Sequence, residues 1–174
     1  KMTFGLPVAT LAMMAPVQFN NLMGLQKQNC SLMEMLGGGY YYVDTYSQDH
    51  NRKTNLRVAA KRLAVSMRQY QIKLLGIMAM DVKSEAAKEA YQVYVDANDQ
   101  LEGIVVLQYS PYAGGEGEVF WVTNKAGYDI PVITVKYSLW DRIHEREGSP
   151  DFIASKLKEE AQEESFSVVC VHAW

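Results

Sequence analysis

The chain of 174 residues contains only two cysteines, Cys30 and Cys170, and three histidines. That excludes a disulfide-dense secreted scaffold and a cysteine-rich metal knuckle. Charge is modest as well. Seventeen basic residues against twenty acidic ones give a formal net charge of −3, so no nucleic-acid partner is expected. Long apolar runs are missing. Apolar runs such as Leu74–Met80 and Val168–Val171 fall far short of the roughly 20 residues of a membrane helix, and no membrane span is expected. The sequence has no Walker A loop, GxGxxG turn, GxSxG elbow, HExxH helix or paired CxxC. The expectation is therefore no metal and no cofactor. A complete eight-stranded β/α barrel takes roughly 250 residues, which excludes one here.

What is present is 48% apolar and 11% aromatic residues, enough for one folded domain with a sizeable core. Short apolar runs alternate with helical periods. Met2–Gly5 reads as a strand, followed by a helix over Val8–Gln28 that Pro16 interrupts. Ser31–Leu36 is a second apolar stretch. In the helix expected over Asn51–Gln71, Leu56, Ala60, Leu63, Met67 and Tyr70 recur at three- and four-residue steps. Ile72–Met78 has the continuous apolar character of a strand buried on both faces.

A helix over Lys83–Asn98 carries the stripe Ala86, Ala87, Ala90, Tyr91 and Tyr94, and Gly103–Gln108 is the next strand. Val119–Val122 and Pro131–Tyr137 flank a turn and read as a hairpin or an excursion. Ser149-Pro150-Asp151 opens a helix running to Glu164, and Phe166–Val171 reads as the last strand. The expected class is α/β: a mainly parallel sheet with alternating helices, an incomplete (β/α) barrel in one domain over residues 1–174. The start at Lys1 and the stop at Trp174, just past an apolar run, add the expectation of a piece of a longer protein.

In such folds ligands sit at the carboxyl ends of the strands, so the residues after each strand are the candidates. Gly37-Gly38-Gly39 is followed by Tyr40-Tyr41-Tyr42, and Gln108 by Tyr109, Tyr112 and the loop Gly114-Gly115-Glu116-Gly117. Tyr137, Trp140 and Asp141 follow the hairpin, and His172 and Trp174 follow the last strand. Aromatic rings stack on apolar sugar faces while amides and carboxylates bond hydroxyls. Gly39, Tyr40, Tyr42, Gln108, Tyr109, Tyr112, Trp121, Tyr137, Trp140 and Trp174 are therefore candidate substrate-binding residues.

Glycoside hydrolysis uses two carboxyl groups, about 5–5.5 Å apart when the configuration is retained and 6.5–9.5 Å when it is inverted. Glu116 and Asp141 are the first choice, Asp44 and Asp81 the next, each with a turn-capping or solvated carboxylate as its plainer role. His172 reads as a proton shuttle, with a hydrogen-bonded structural histidine as the alternative. Asp49-His50 is a possible ligand pair in a loop. Cys30, expected in a polar turn, and Cys170, in a buried strand, are either two free thiols or a disulfide.

The stretch Gly37-Gly-Gly-Tyr40-Tyr-Tyr42-Val43 resembles the motif of the GxGYxYP glycoside hydrolase family, with Val43 where the motif has proline. Tyr109–Val122, Pro131–Asp141, Gly148-Ser149-Pro150 and Ser167–Trp174 resemble later blocks in the same order. The resemblance implies a C-terminal, barrel-like domain of a secreted or cell-envelope protein acting on a carbohydrate. It also implies a partner: a preceding N-terminal domain of the same protein, with an acidic Asp-Gly-Asp-Asn segment that has no counterpart here. The alternatives are a non-catalytic carbohydrate-binding module and a structural component of a larger assembly.

Overall fold

The computed structural model describes residues 2–26, 30–35, 40–47, 50–108, 117–139, 149–162 and 167–170. Its centre is a six-stranded sheet in the order β1-β2-β3-β4-β6-β5. The strands are β1 (Met2–Leu6), β2 (Cys30–Met35), β3 (Leu74–Ala79), β4 (Gly103–Gln108), β5 (Val119–Thr123) and β6 (Asp129–Thr134). Successive pairs from β1 to β4 are parallel, as is β4 with β6, while β5 runs antiparallel on β6. The sheet does not close on itself. The mostly parallel α/β class and the open, barrel-like arrangement are those expected.

The helices are α1 (Val8–Met14), α2 (Pro16–Leu25), α3 (Arg52–Gln69), α4 (Glu85–Ala97) and α5 (Pro150–Glu160). Pro16 occupies the first turn of α2 and Ala15 breaks the chain before it, because proline lacks the N–H a continuous helix would need. The α3 stripe Leu56, Ala60, Leu63 and Met67 is buried, as are Ala87, Ala90, Tyr91 and Tyr94 of α4. Each strand adds at the same end of the parallel set, so the crossover helices gather on one face. Accordingly, buried residues of α1 to α4 form one core with Leu32, Leu75, Ile77, Ile104, Val106 and Val132.

The second face of the sheet carries alternate strand residues. Met78, Leu107 and Val135 are buried there, with Met35, Tyr42, Val105, Val168 and Cys170 against them. Met33 and Met35 lie across Gly5 and Gly76, and a Cβ on Gly76 would run into the Met35 sulfur. Glycine is what lets these two methionines lie flat on the neighbouring strands.

Several boundaries differ from the sequence expectation. The first helical region ends at Leu25, and Cys30 opens β2 instead of standing in a turn. The strand expected over Ile72–Met78 starts at Leu74, because Ile72 is spent on the turn out of α3, its N–H donating to Met67 O at 2.8 Å. The segment expected as one strand over Pro131–Tyr137 is β6 followed by a separate β7 (Tyr137–Ser138). Among the described residues the last strand is β8 (Val169–Cys170), and it pairs with β7 in a second, two-stranded sheet. It therefore adds no sixth strand end to the main parallel set. Cys30 and Cys170 do not form a disulfide. Burial pushes the Cys170 thiol up to about 11, so it behaves as a small apolar side chain.

Candidate functional site

The carboxyl ends of the parallel strands meet along one edge of the sheet. The segment from Tyr40 to Ser47 returns across this edge above β3, where Tyr42 bridges to Met78 and Val43 N–H donates to Met78 O at 2.8 Å. Extended backbone turns successive side chains to opposite sides, and the three tyrosines divide accordingly. Tyr40, exposed, meets half-buried Tyr42 edge to face at 6.3 Å between ring centres. Tyr41 turns to the helical side instead. There its hydroxyl pairs with that of Tyr94, and its ring lies 4.7 Å from Tyr46. Burial raises the pKa of both paired hydroxyls, so they stay protonated.

Arg52 fastens this segment to α4. Its guanidinium donates to Tyr46 O and to Ala86 O, each at 2.8 Å. Asp44 holds the turn after β3, accepting from Met80 N at 3.0 Å and from Asp81 N at 2.8 Å. Asp81 in turn accepts from Lys83 N at 2.9 Å. Both second-choice carboxylates thus have the turn-capping role. Lys83 reaches across the rim to Glu118, 2.9 Å away, just ahead of β5.

On the far side of the rim, Tyr137 donates its hydroxyl to Glu160 at 2.8 Å, and Lys136 pairs with the other oxygen at 2.7 Å. Loss of hydration, followed by the Glu160 carboxylate, pushes the Tyr137 hydroxyl up to about 12. Gly117, next to Glu116, has φ +77°, and a Cβ there would lie 3.1 Å from Lys136 Cδ. That position requires glycine, and it anchors the end of the Gly114–Gly117 loop beside the end of β6.

The structure thus brings Tyr40, Tyr42 and Tyr137 to the strand-end rim. Gln108 closes β4 at the same edge. Trp121 does not join them. It stands in the middle of β5 opposite Pro131, 63% exposed, on the edge of the sheet and below the rim. The expectation of a strand-end tryptophan fails because β5 is antiparallel: it starts at the rim, and Trp121 lies two residues down. Gly39, Tyr109, Tyr112, Glu116, Trp140, Asp141, His172 and Trp174 lie outside the described residues, as does Asp49. Among the described residues no group of three or more His, Cys, Asp or Glu could hold a metal ion, and no helix is long and apolar enough to cross a membrane.

The sequence reading passed over one residue entirely. Glu34, inside the apolar stretch of β2, is fully buried. Its Oε2 accepts from Val8 N at 2.9 Å at the start of α1, while its Oε1 is buried with no hydrogen-bond partner among the described residues. Burial outweighs the bonds from the backbone of Val8 and Ala9 and pushes its pKa up to about 7. A carboxylate within a strand buried on both faces was itself the signal. A groove of about 920 Å3 lies at the opposite end of the sheet, lined by Lys73, Gln100, Glu102, Tyr128 and Asp129. It gathers at the amino ends of the strands, the face that in β/α folds serves stability.

Compared with family models, with curated proteins and with solved structures, the chain has no match in any of the three. The fold defines its class: an open, mostly parallel α/β sheet with four helices on one face and a tyrosine-rich rim at the strand ends.

Proposed function

We propose that the protein is a carbohydrate-active domain, a glycoside hydrolase whose sugar lies along the carboxyl-end rim. The observation that carries this reading is the Tyr40–Tyr42 corner directly after the glycine run, its two rings at 84°. Two rings at right angles offer one face for stacking and one edge to close the side of a sugar. Tyr137 supplies a third ring along the same edge, and the resemblance to the GxGYxYP family points to the same chemistry. In this reading Glu116 and Asp141 are the acid and its partner carboxylate, and His172 shuttles the proton. The secreted or cell-envelope setting and the preceding N-terminal domain belong to the proposal through that resemblance.

The experiment is release of reducing sugar from a panel of glycans by the full chain and its Glu116→Gln and Asp141→Asn variants. Loss of the acid or base should lower turnover by about 10²–10⁴-fold. Unchanged turnover in both variants would remove these residues from the mechanism.

A second reading, sugar binding without hydrolysis, is favoured by how the described rim acids are used. Both oxygens of Asp44 accept backbone N–H groups, and both oxygens of Glu160 are taken by Tyr137 and Lys136. Titration calorimetry with the same glycans separates the two readings. Binding without turnover, weakened about tenfold by Tyr40→Ala, supports the second.

A further inference from the structure

The helix α1 has little of its own to hold it. Its seven residues follow Pro7, which supplies no side-chain cap, and Val8 is its one fully buried side chain. The cap comes from across the fold instead. Glu34 Oε2 of β2 accepts from Val8 N at 2.9 Å, and the Ala9 backbone bonds the same carboxyl. Glu34 is fully buried, and its Oε1 has no partner among the described residues. No cation compensates it there. The segments β1, β3, α1 and α2 contain no titratable side chain at all. From the return segment Tyr41 faces Glu34, its hydroxyl paired with that of Tyr94 on α4 and its ring against Tyr46. On α3, Lys53, Arg57, Lys61, Arg62 and Arg68 are exposed, while Arg52 is committed to Tyr46 O, Ala86 O and Glu89. Lys88 of α4 pairs with Glu85.

We infer that Glu34 is a pH-operated latch on α1: with its proton it holds the helix against β2, and without it the helix opens locally while the centre of the sheet stays folded. A neutral carboxyl tolerates one bare oxygen in an apolar setting. A carboxylate does not, and with no cation at hand only water can relieve it. The cover that yields most easily is α1. Lifting its first turn uncovers one buried side chain, whereas β3 and β4 are paired over six residues. In the closed helix the carboxyl keeps its proton up to about pH 7, and once water reaches it only to about 4.5. Opening is therefore rarest below pH 4.5, grows as pH rises to 7 and levels off above. The response is confined to one helix and is not spread over the fold.

Native-state amide exchange of the full chain from about pH 4 to about pH 8 tests this, with the intrinsic exchange rate at each pH divided out. The amides of Val8 and Leu11, bonded to Glu34 and to Pro7 O, are the reporters. Their protection should fall by up to about tenfold per pH unit between 4.5 and 7, roughly a hundredfold in all. It should also be insensitive to urea below the unfolding transition, because a local opening exposes little surface, while the amides of β3 and β4 respond steeply. Glu34→Gln keeps an acceptor for Val8 N and should flatten the pH profile of α1. A parent profile without this pH dependence overturns the inference. So does a urea response shared with β3 and β4, which makes the opening global, or a pH slope that survives in Glu34→Gln. Should that variant fail to fold, the parent's pH slope and urea response decide between the outcomes.

Discussion

Glu34 and Val43 show how single residues shape this protein. The folded-state pKa of Glu34 is raised to about 7 from an ordinary value of 4.5, so the native state holds a proton that the unfolded chain releases more easily. Its contribution is present in full below pH 4.5 and is lost as pH rises through 7. Glu34→Gln keeps the acceptor for Val8 N and removes the titration. Urea unfolding should find this variant more stable than the parent at pH 8, by up to about 3 kcal/mol, and no more than marginally different at pH 4.5. Val43 is buried and donates to Met78 O, a bond that proline cannot make. Val43→Pro, the residue of the GxGYxYP motif, should therefore cost about 3 kcal/mol or more of stability in the same assay. The resemblance was legible in the residues. That this backbone uses the N–H at its last position was not.

Elements were legible in proportion to their periodicity. The α3 and α4 stripes repeat over several turns, and the structure buries them except at Tyr70 and Ala86, which are half-buried. Ser149 accepts from Phe152 N at 3.2 Å, as its place before Pro150 and Asp151 predicts. Ser84 does the same for α4, accepting from Ala87 N at 3.2 Å. Ser84→Ala should lower the thermal midpoint by an amount matching about 1 kcal/mol. Two-residue strands such as β7 and β8 have no period to read, and only the fold pairs them. Strand direction was half legible: a hairpin implied an antiparallel β5 and an excursion did not, and Trp121 was expected at the rim without that distinction. In β5, Thr134 N donates to Glu118 O and Asn124 N to Tyr128 O, so the even-numbered backbone groups face β6; the N–H groups of Val119, Trp121 and Thr123 should exchange fast and those of Phe120 and Val122 slowly.

At the scale of the whole molecule, protection should follow position in the sheet. β3 and β4 pair over six residues at its centre, whereas β1 and β5 each have one neighbour. Native-state exchange should therefore find the slowest amides in β3 and β4 and the fastest strand amides in β1 and β5. The candidate site was legible only as a rule of place: the strand-end principle locates the rim, and Tyr40, Tyr42 and Tyr137 are there. Turn capping was already an alternative for Asp44 and Asp81, whereas the capture of Glu160 by Tyr137 and Lys136 was not foreseeable, because those bonds join residues far apart in the chain.

The succession of strands bears on synthesis. β1 pairs with β2, β2 with β3 and β3 with β4, so each strand emerging from a ribosome meets the one finished before it. Within the six-stranded sheet that sequence is broken at β5. β5 leaves the ribosome ahead of β6 yet has no place until β6 has docked on β4. For those few residues of elongation the nascent chain carries β5 without a partner strand, and on a crowded polysome the nearest strand of the same kind belongs to the neighbouring chain.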